Sequence, residues 1–162
     1  MALLVAASGC HQSATLSEGA EHRPEAASHA DEEERPITSG DVPIPANYAE
    51  AVERLCQYRD AIREAVATKQ PAKAHRPLDE TNIALERLPA LARSSGVPRR
   101  DWETVVVAGD DLGEALGAIH EMIDANQLPD YAMHAKTIDD ALARLQAAAK
   151  EREQSSLEKN HE

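Results

Sequence analysis

Between residues 48 and 145, apolar side chains return every three or four positions in four separate blocks. That period places them on one face of a helix and is incompatible with a strand. Tyr48, Val52, Leu55, Ile62 and Val66 make the first block. Leu78, Asn82, Leu85, Leu88 and Leu91 make the second, and Trp102, Val105, Leu112, Leu116, Ile119 and Ile123 the third. Tyr131, Ala135, Ile138, Leu142 and Leu145 make the fourth. The breaks between blocks are Lys69-Gln-Pro-Ala-Lys-Ala-His75, Ser94-Ser95-Gly96 and Asn126-Gln-Leu-Pro129. Composition agrees: the 162 residues include 30 alanines, no Phe, one Trp and three Tyr. Alanine and the straight-chain residues favour helix, whereas strands draw on the aromatic and β-branched side chains that are scarce here.

Local signals set the expected helix limits. Asn47 caps the first helix, and the second opens with Pro77 at its first position and Asp79-Glu80 in its first turn. Pro89 implies a kink or a broken last turn. The third helix runs about 27 residues, or ~40 Å. Gly109, Gly113 and Gly117, four apart on it, imply close approach of a neighbouring helix. Asp130 caps the fourth. Four amphipathic helices joined by short turns pack most simply as an all-α, up-down-up-down four-helix bundle over residues 45–150, with a polar, fraying tail over 151–162.

The chain begins Met1-Ala-Leu-Leu-Val-Ala-Ala-Ser-Gly-Cys10. This apolar run is too short to span a bilayer but suits the hydrophobic part of a signal peptide. Ala7-Ser8-Gly9-Cys10 resembles the lipobox of bacterial lipoproteins, in which the signal is cut before the cysteine and that cysteine is acylated. The resemblance implies a signal peptide over residues 1–9 and lipidation at Cys10. Ala7 stands where Leu is commoner, and no Lys or Arg precedes the run, which places the expected start codon upstream. His11, at the second mature position, is not the Asp that favours inner-membrane retention in Gram-negative lipoproteins. The expected location is therefore the outer membrane, facing the periplasm. Residues 10–44 form the expected linker: His11 to Thr38 carries Pro24, Pro36 and the run Asp31-Glu-Glu-Glu34 with almost no large apolar side chain. Such a segment cannot offset its ordering entropy, and ~30 flexible residues hold a domain roughly 30 Å from its anchor.

The net charge of −12 repels nucleic-acid backbones. It divides into −5 over residues 11–40, −5 over 41–150 and −2 over 151–162, so it is spread over linker, bundle surface and tail. Over residues 46–150 the expected shape resembles the cytochrome b562 and cytochrome c′ bundles without their haem motifs. Cys56 is followed by Gln57, Tyr58, Arg59 and Asp60, not by the C-x-x-C-H that attaches haem in cytochrome c′. The first helix has no Met to match the axial ligand of cytochrome b562. His75, His120 and His134 lack the Glu three residues earlier that ferritin-like di-iron bundles require. Neither haem nor any other cofactor is expected.

Alternating helix directions bring the end of helix one, the start of helix two, the end of helix three and the start of helix four to one pole. That pole collects His75, His120 and His134, with Met122, Met133, Asp79, Glu121 and Asp124 nearby. Imidazole and thioether ligands suit zinc and copper. The competing interpretation is a set of surface histidines near helix ends, since no H-x-x-x-H pair occurs. Cys56 reads as a buried small hydrophobe, and Asp110-Asp111 and Asp139-Asp140 as a solvated face. No phosphate loop, nucleophile elbow or H-E-x-x-H motif is present. The sequence therefore implies a non-catalytic, lipid-anchored envelope protein whose bundle binds a protein partner or serves a structural role. The alternative is a periplasmic copper- or zinc-binding bundle.

Overall fold

A computed structural model of the chain describes residues 37–38 and 40–159, with side chains through Glu151. The expected signal peptide, Cys10 and the linker up to residue 36 lie outside the described residues. So do the tail residues from 160 onward. The rest is all-helical: α1 (Tyr48–Ala67), α2 (His75–Ser94), α3 (Trp102–Asp124) and α4 (Tyr131–Lys159), with 3₁₀ turns at Pro71–Ala74 and Arg99–Asp101. Each helix packs against the next in chain order, and α4 returns to α1, closing a four-membered ring. The all-α four-helix bundle expected from the periodicity is the observed fold.

The core is made from the four stripes. Leu55, Ile62, Leu78, Leu88, Leu112, Leu116, Ile119, Ile138 and Leu145 are all buried, with Ala51, Ala65, Ala84, Ala92, Ala108, Ala141 and Ala148 filling the space between them. Small residues between large ones let helices approach closely while keeping interior packing density. The second stripe differs in phase from expectation. Thr81, Ala84 and Ala92 join Leu78 and Leu88 inside, whereas Asn82 is exposed and Leu85 and Leu91 are half-buried. Thr81 is the one buried polar residue among those described, and its hydroxyl donates to the Pro77 carbonyl at 2.7 Å. This bond to the carbonyl four residues back gives the hydroxyl a partner inside its own helix, so the burial leaves no unmet hydroxyl.

Helix ends follow local chemistry. Asn47 Oδ1 accepts from the Glu50 amide at 3.0 Å, and Asp130 Oδ1 from the Ala132 amide at 3.0 Å, capping α1 and α4 as expected. Helices α1, α2 and α3 all end in the same way. In each, one residue takes a positive φ: Lys69 at 56°, Gly96 at 79° and Asn126 at 54°. The next amide then reaches back five residues, Gln70 to the Ala65 carbonyl, Val97 to Ala92 and Gln127 to Met122, at 2.8–3.0 Å. This paired reach-back is the Schellman motif, and it satisfies carbonyls that the helix end would leave unpaired.

Several boundaries differ from the sequence reading. Helix α2 begins at His75, so Pro77 is its third residue and not its first. The first four helical amides have no partner inside the helix, so a proline there costs no hydrogen bond. The helix also runs through Pro89 to Ser94 without breaking. Helix α3 has 23 residues because the turn at Arg99–Asp101 takes up its expected start. Helix α4 continues to Lys159, past the expected fraying point. Upstream, packing starts before residue 45: Val42 and Pro45 are buried, and Arg54 donates to the Pro43 carbonyl at 2.8 Å. Of the three glycines, a Cβ added at Gly113 or Gly109 would meet the Leu85 side chain at 3.4 or 3.9 Å, whereas at Gly117 it would meet nothing within 4 Å. Close approach to α2 is therefore tight at Gly113 alone, and Gly109 and Gly117 have room for a side chain.

No helix among the described residues is long and apolar enough to cross a membrane. The acidic pairs expected as a solvated face do more than face water. Asp111 accepts from Arg144 at 2.5 Å and Asp139 from Arg59 at 2.6 Å, linking α3 to α4 and α1 to α4 across the surface.

Candidate functional site

His75 is the first residue of α2, and it follows the 3₁₀ turn that redirects the chain after α1. His120 lies one turn before the end of α3, and Asp124 is that helix's last residue. Residues four apart share a helix face, so His120 and Asp124 point the same way, toward the start of α2. The three side chains meet there. His75 Nδ1 stands 3.3 Å from His120 Nε2, and the two rings are set edge to face with centroids 5.3 Å apart. Asp124 Oδ1 stands 3.6 Å from the same His75 nitrogen and 3.7 Å from the same His120 nitrogen. Two ring nitrogens and one carboxylate oxygen thus form a compact, nearly equilateral triangle. The imidazoles are mostly covered, at 32% and 22% side-chain exposure, whereas the carboxylate is 61% exposed, so the triangle opens to solvent on the Asp124 side.

The expected pole is assembled in part. His75, His120 and Asp124 come together as its core. No other His, Cys, Asp or Glu among the described residues joins that group, so His134, Asp79 and Glu121 are not members of it. His134 is half-buried in the first turn of α4. Met133 is 79% exposed, and Met122 is half-buried on α3. The sequence signal for the acidic member is His120-x-x-x-Asp124, the one-turn spacing that a search for paired histidines alone passes over.

Elsewhere, Cys56 is half-buried at the contact of α1 with α4, where Gln146 Nε2 donates to its sulfur at 3.2 Å. Trp102 packs at the edge of the core, donates from its indole nitrogen to the Val97 carbonyl at 3.0 Å and lies within 6 Å of the Arg93 and Arg99 guanidiniums. Burial is the main cause that pushes the phenols of Tyr48, Tyr58 and Tyr131 above their ordinary range. These residues have structural work in the core and show no convergence with the histidine cluster.

No family model matches the chain, and no curated protein or solved structure shows significant similarity to it.

Proposed function

We propose that this protein is a non-catalytic, lipid-anchored protein of the bacterial envelope whose helical bundle binds a protein partner or serves a structural role. The observation that carries the reading is the order of elements: Ala7-Ser8-Gly9-Cys10, then a polar acidic stretch, then a closed helical bundle. Acyl chains on Cys10 contribute ~0.8 kcal/mol per buried CH₂, and more than one chain holds a protein stably on a membrane. The non-catalytic part rests on the interior, which is filled by Ala, Leu, Ile and Val, with the hydroxyl of Thr81 already committed to a backbone carbonyl. Acidic residues spread over the bundle keep it from adhering to an anionic lipid surface. The outer membrane, with the bundle facing the periplasm, is the location we favour from His11.

The test is fractionation of cells expressing the full chain from its native start, with metabolic labelling by a fatty acid. The wild type is expected in the membrane fraction carrying label, and Cys10→Ser in the soluble fraction without it. Equal membrane association of the two proteins, or absence of label on the wild type, would overturn the anchoring. Crosslinking in intact cells then checks the binding role, the expected product being a discrete adduct through the bundle.

A further inference from the structure

We propose that His75, His120 and Asp124 form a zinc site that clamps the start of α2 to the end of α3. This goes beyond the anchored-bundle reading and does not depend on it. Zinc takes nitrogen ligands at about 2.0–2.1 Å and carboxylate oxygen at about 2.0–2.2 Å in tetrahedral geometry. Bonds of that length separate neighbouring ligand atoms by roughly 3.4 Å. The three atoms here stand 3.3, 3.6 and 3.7 Å apart, and the same three atoms make all three distances. Shifts of a few tenths of an ångström would bring them to the edges of one coordination tetrahedron, which is well within the play of two imidazoles and an exposed carboxylate.

Electrostatics point the same way. The two facing nitrogens at 3.3 Å share at most one hydrogen bond, and only when one is protonated and the other is not, whereas donation from both to the Asp124 oxygen leaves two N–H groups pointed at each other. A divalent cation meets all three lone pairs at once. Asp124 ends α3, where the free carbonyls of the helix terminus favour positive charge. Two neutral imidazoles and one carboxylate leave a bound Zn²⁺ with a net charge of +1, in a chain whose overall charge is −12. The nitrogen–oxygen ligand set selects a borderline divalent ion over copper(I), which prefers thioether and thiolate. Met133 is turned out to solvent, and Cys56 sits between α1 and α4. Three protein ligands with an opening on the Asp124 side leave the fourth position to water or to a group supplied from outside.

The test is titration of the metal-stripped full chain with Zn²⁺ by calorimetry, with Co²⁺ absorption reporting coordination geometry. The wild type is expected to bind one equivalent with micromolar affinity and to give the intense visible bands of four-coordinate cobalt. His75→Gln and His120→Gln should each weaken zinc at least about tenfold and abolish those bands, and Asp124→Asn should weaken it by a smaller factor. His134→Ala should bind as the wild type does. Circular dichroism checks that the variants keep their helix content. Because the imidazoles lie near the surface, the glutamine variants should fold, and Asp124→Asn, at a largely exposed position, provides a second variant. Absence of binding, or binding that all three variants leave unchanged, would overturn the site; in the latter case other histidines of the chain, among His11, His22, His29 and His161, hold the ion. Copper(I) retention that depends on Met122 or Met133 and not on Asp124 would equally overturn the nitrogen–oxygen assignment.

Discussion

The hydroxyl of Tyr48, at the first residue of α1, donates to the carbonyl of Leu145 in α4 at 3.1 Å, with both side chains fully buried. A contact across 97 positions of sequence ties the two ends of the bundle together. It closes the ring of helices at the point where the chain enters it. Removing the hydroxyl by Tyr48→Phe should cost about 1 kcal/mol, and truncation by Tyr48→Ala about 3–5 kcal/mol through the cavity it leaves. Chemical denaturation measures both. A Tyr48→Phe variant as stable as the wild type would show that the hydrogen bond contributes nothing net.

The same residue makes stability depend on alkaline pH. Burial raises the Tyr48 phenol first, and the nearby Asp101 carboxylate raises it further, so the folded state holds the neutral form where the unfolded chain ionises. This contribution is fully present below the ordinary tyrosine range, near pH ~10, and is lost as pH rises above it. Tyr58 and Tyr131 shift in the same direction. Melting temperature should therefore fall above pH ~10, and less steeply in Tyr48→Phe than in the wild type. Parallel curves for the two proteins would contradict this account.

Two glycines on one helix face should respond differently to alanine. At Gly117 a new methyl group meets open space, so Gly117→Ala should gain up to ~1 kcal/mol from helix propensity alone. At Gly113 the methyl would press on Leu85 at 3.4 Å, which offsets the same gain, and Gly113→Ala should be near neutral or destabilising. Thermal melts of the two variants under one condition make the comparison, and equal gains would mean that α2 and α3 have more slack than their contact implies.

Of the three helix ends that turn through positive φ, only Lys69 carries a long side chain there without the tolerance of Gly or Asn. Lys69→Gly should therefore stabilise the protein by about 0.5–1 kcal/mol, and Gly96→Ala should destabilise it by a similar amount. Urea midpoints for the pair test the idea, which fails if both substitutions shift stability in the same direction.

How much of this was legible beforehand differs from element to element. Period and breaker residues located all four helices, because an amphipathic stripe has one way to be buried and turn chemistry is local. The stripe of α2 legible in the sequence includes Asn82 where the structure buries Thr81, since one residue changes the facing by ~100° and a threonine bonded to its own helix can be buried. Alternating helix directions place His75, His120 and Asp124 among the eight residues of one pole, but do not say which three of the eight meet.

The sequence by itself determined the all-helical class, the caps at Asn47 and Asp130 and the placing of His75 and His120 at one end of the bundle. Those features depend on local propensity and on chain alternation. Only the tertiary structure decided that Asp124 and not His134 completes the triangle, that Met133 faces solvent and that Gly117 lacks the neighbour Gly113 has. Each of these depends on the rotation of one helix about its axis against another, and that angle is set by how side chains of several helices interlock in the core. No single stripe carries it.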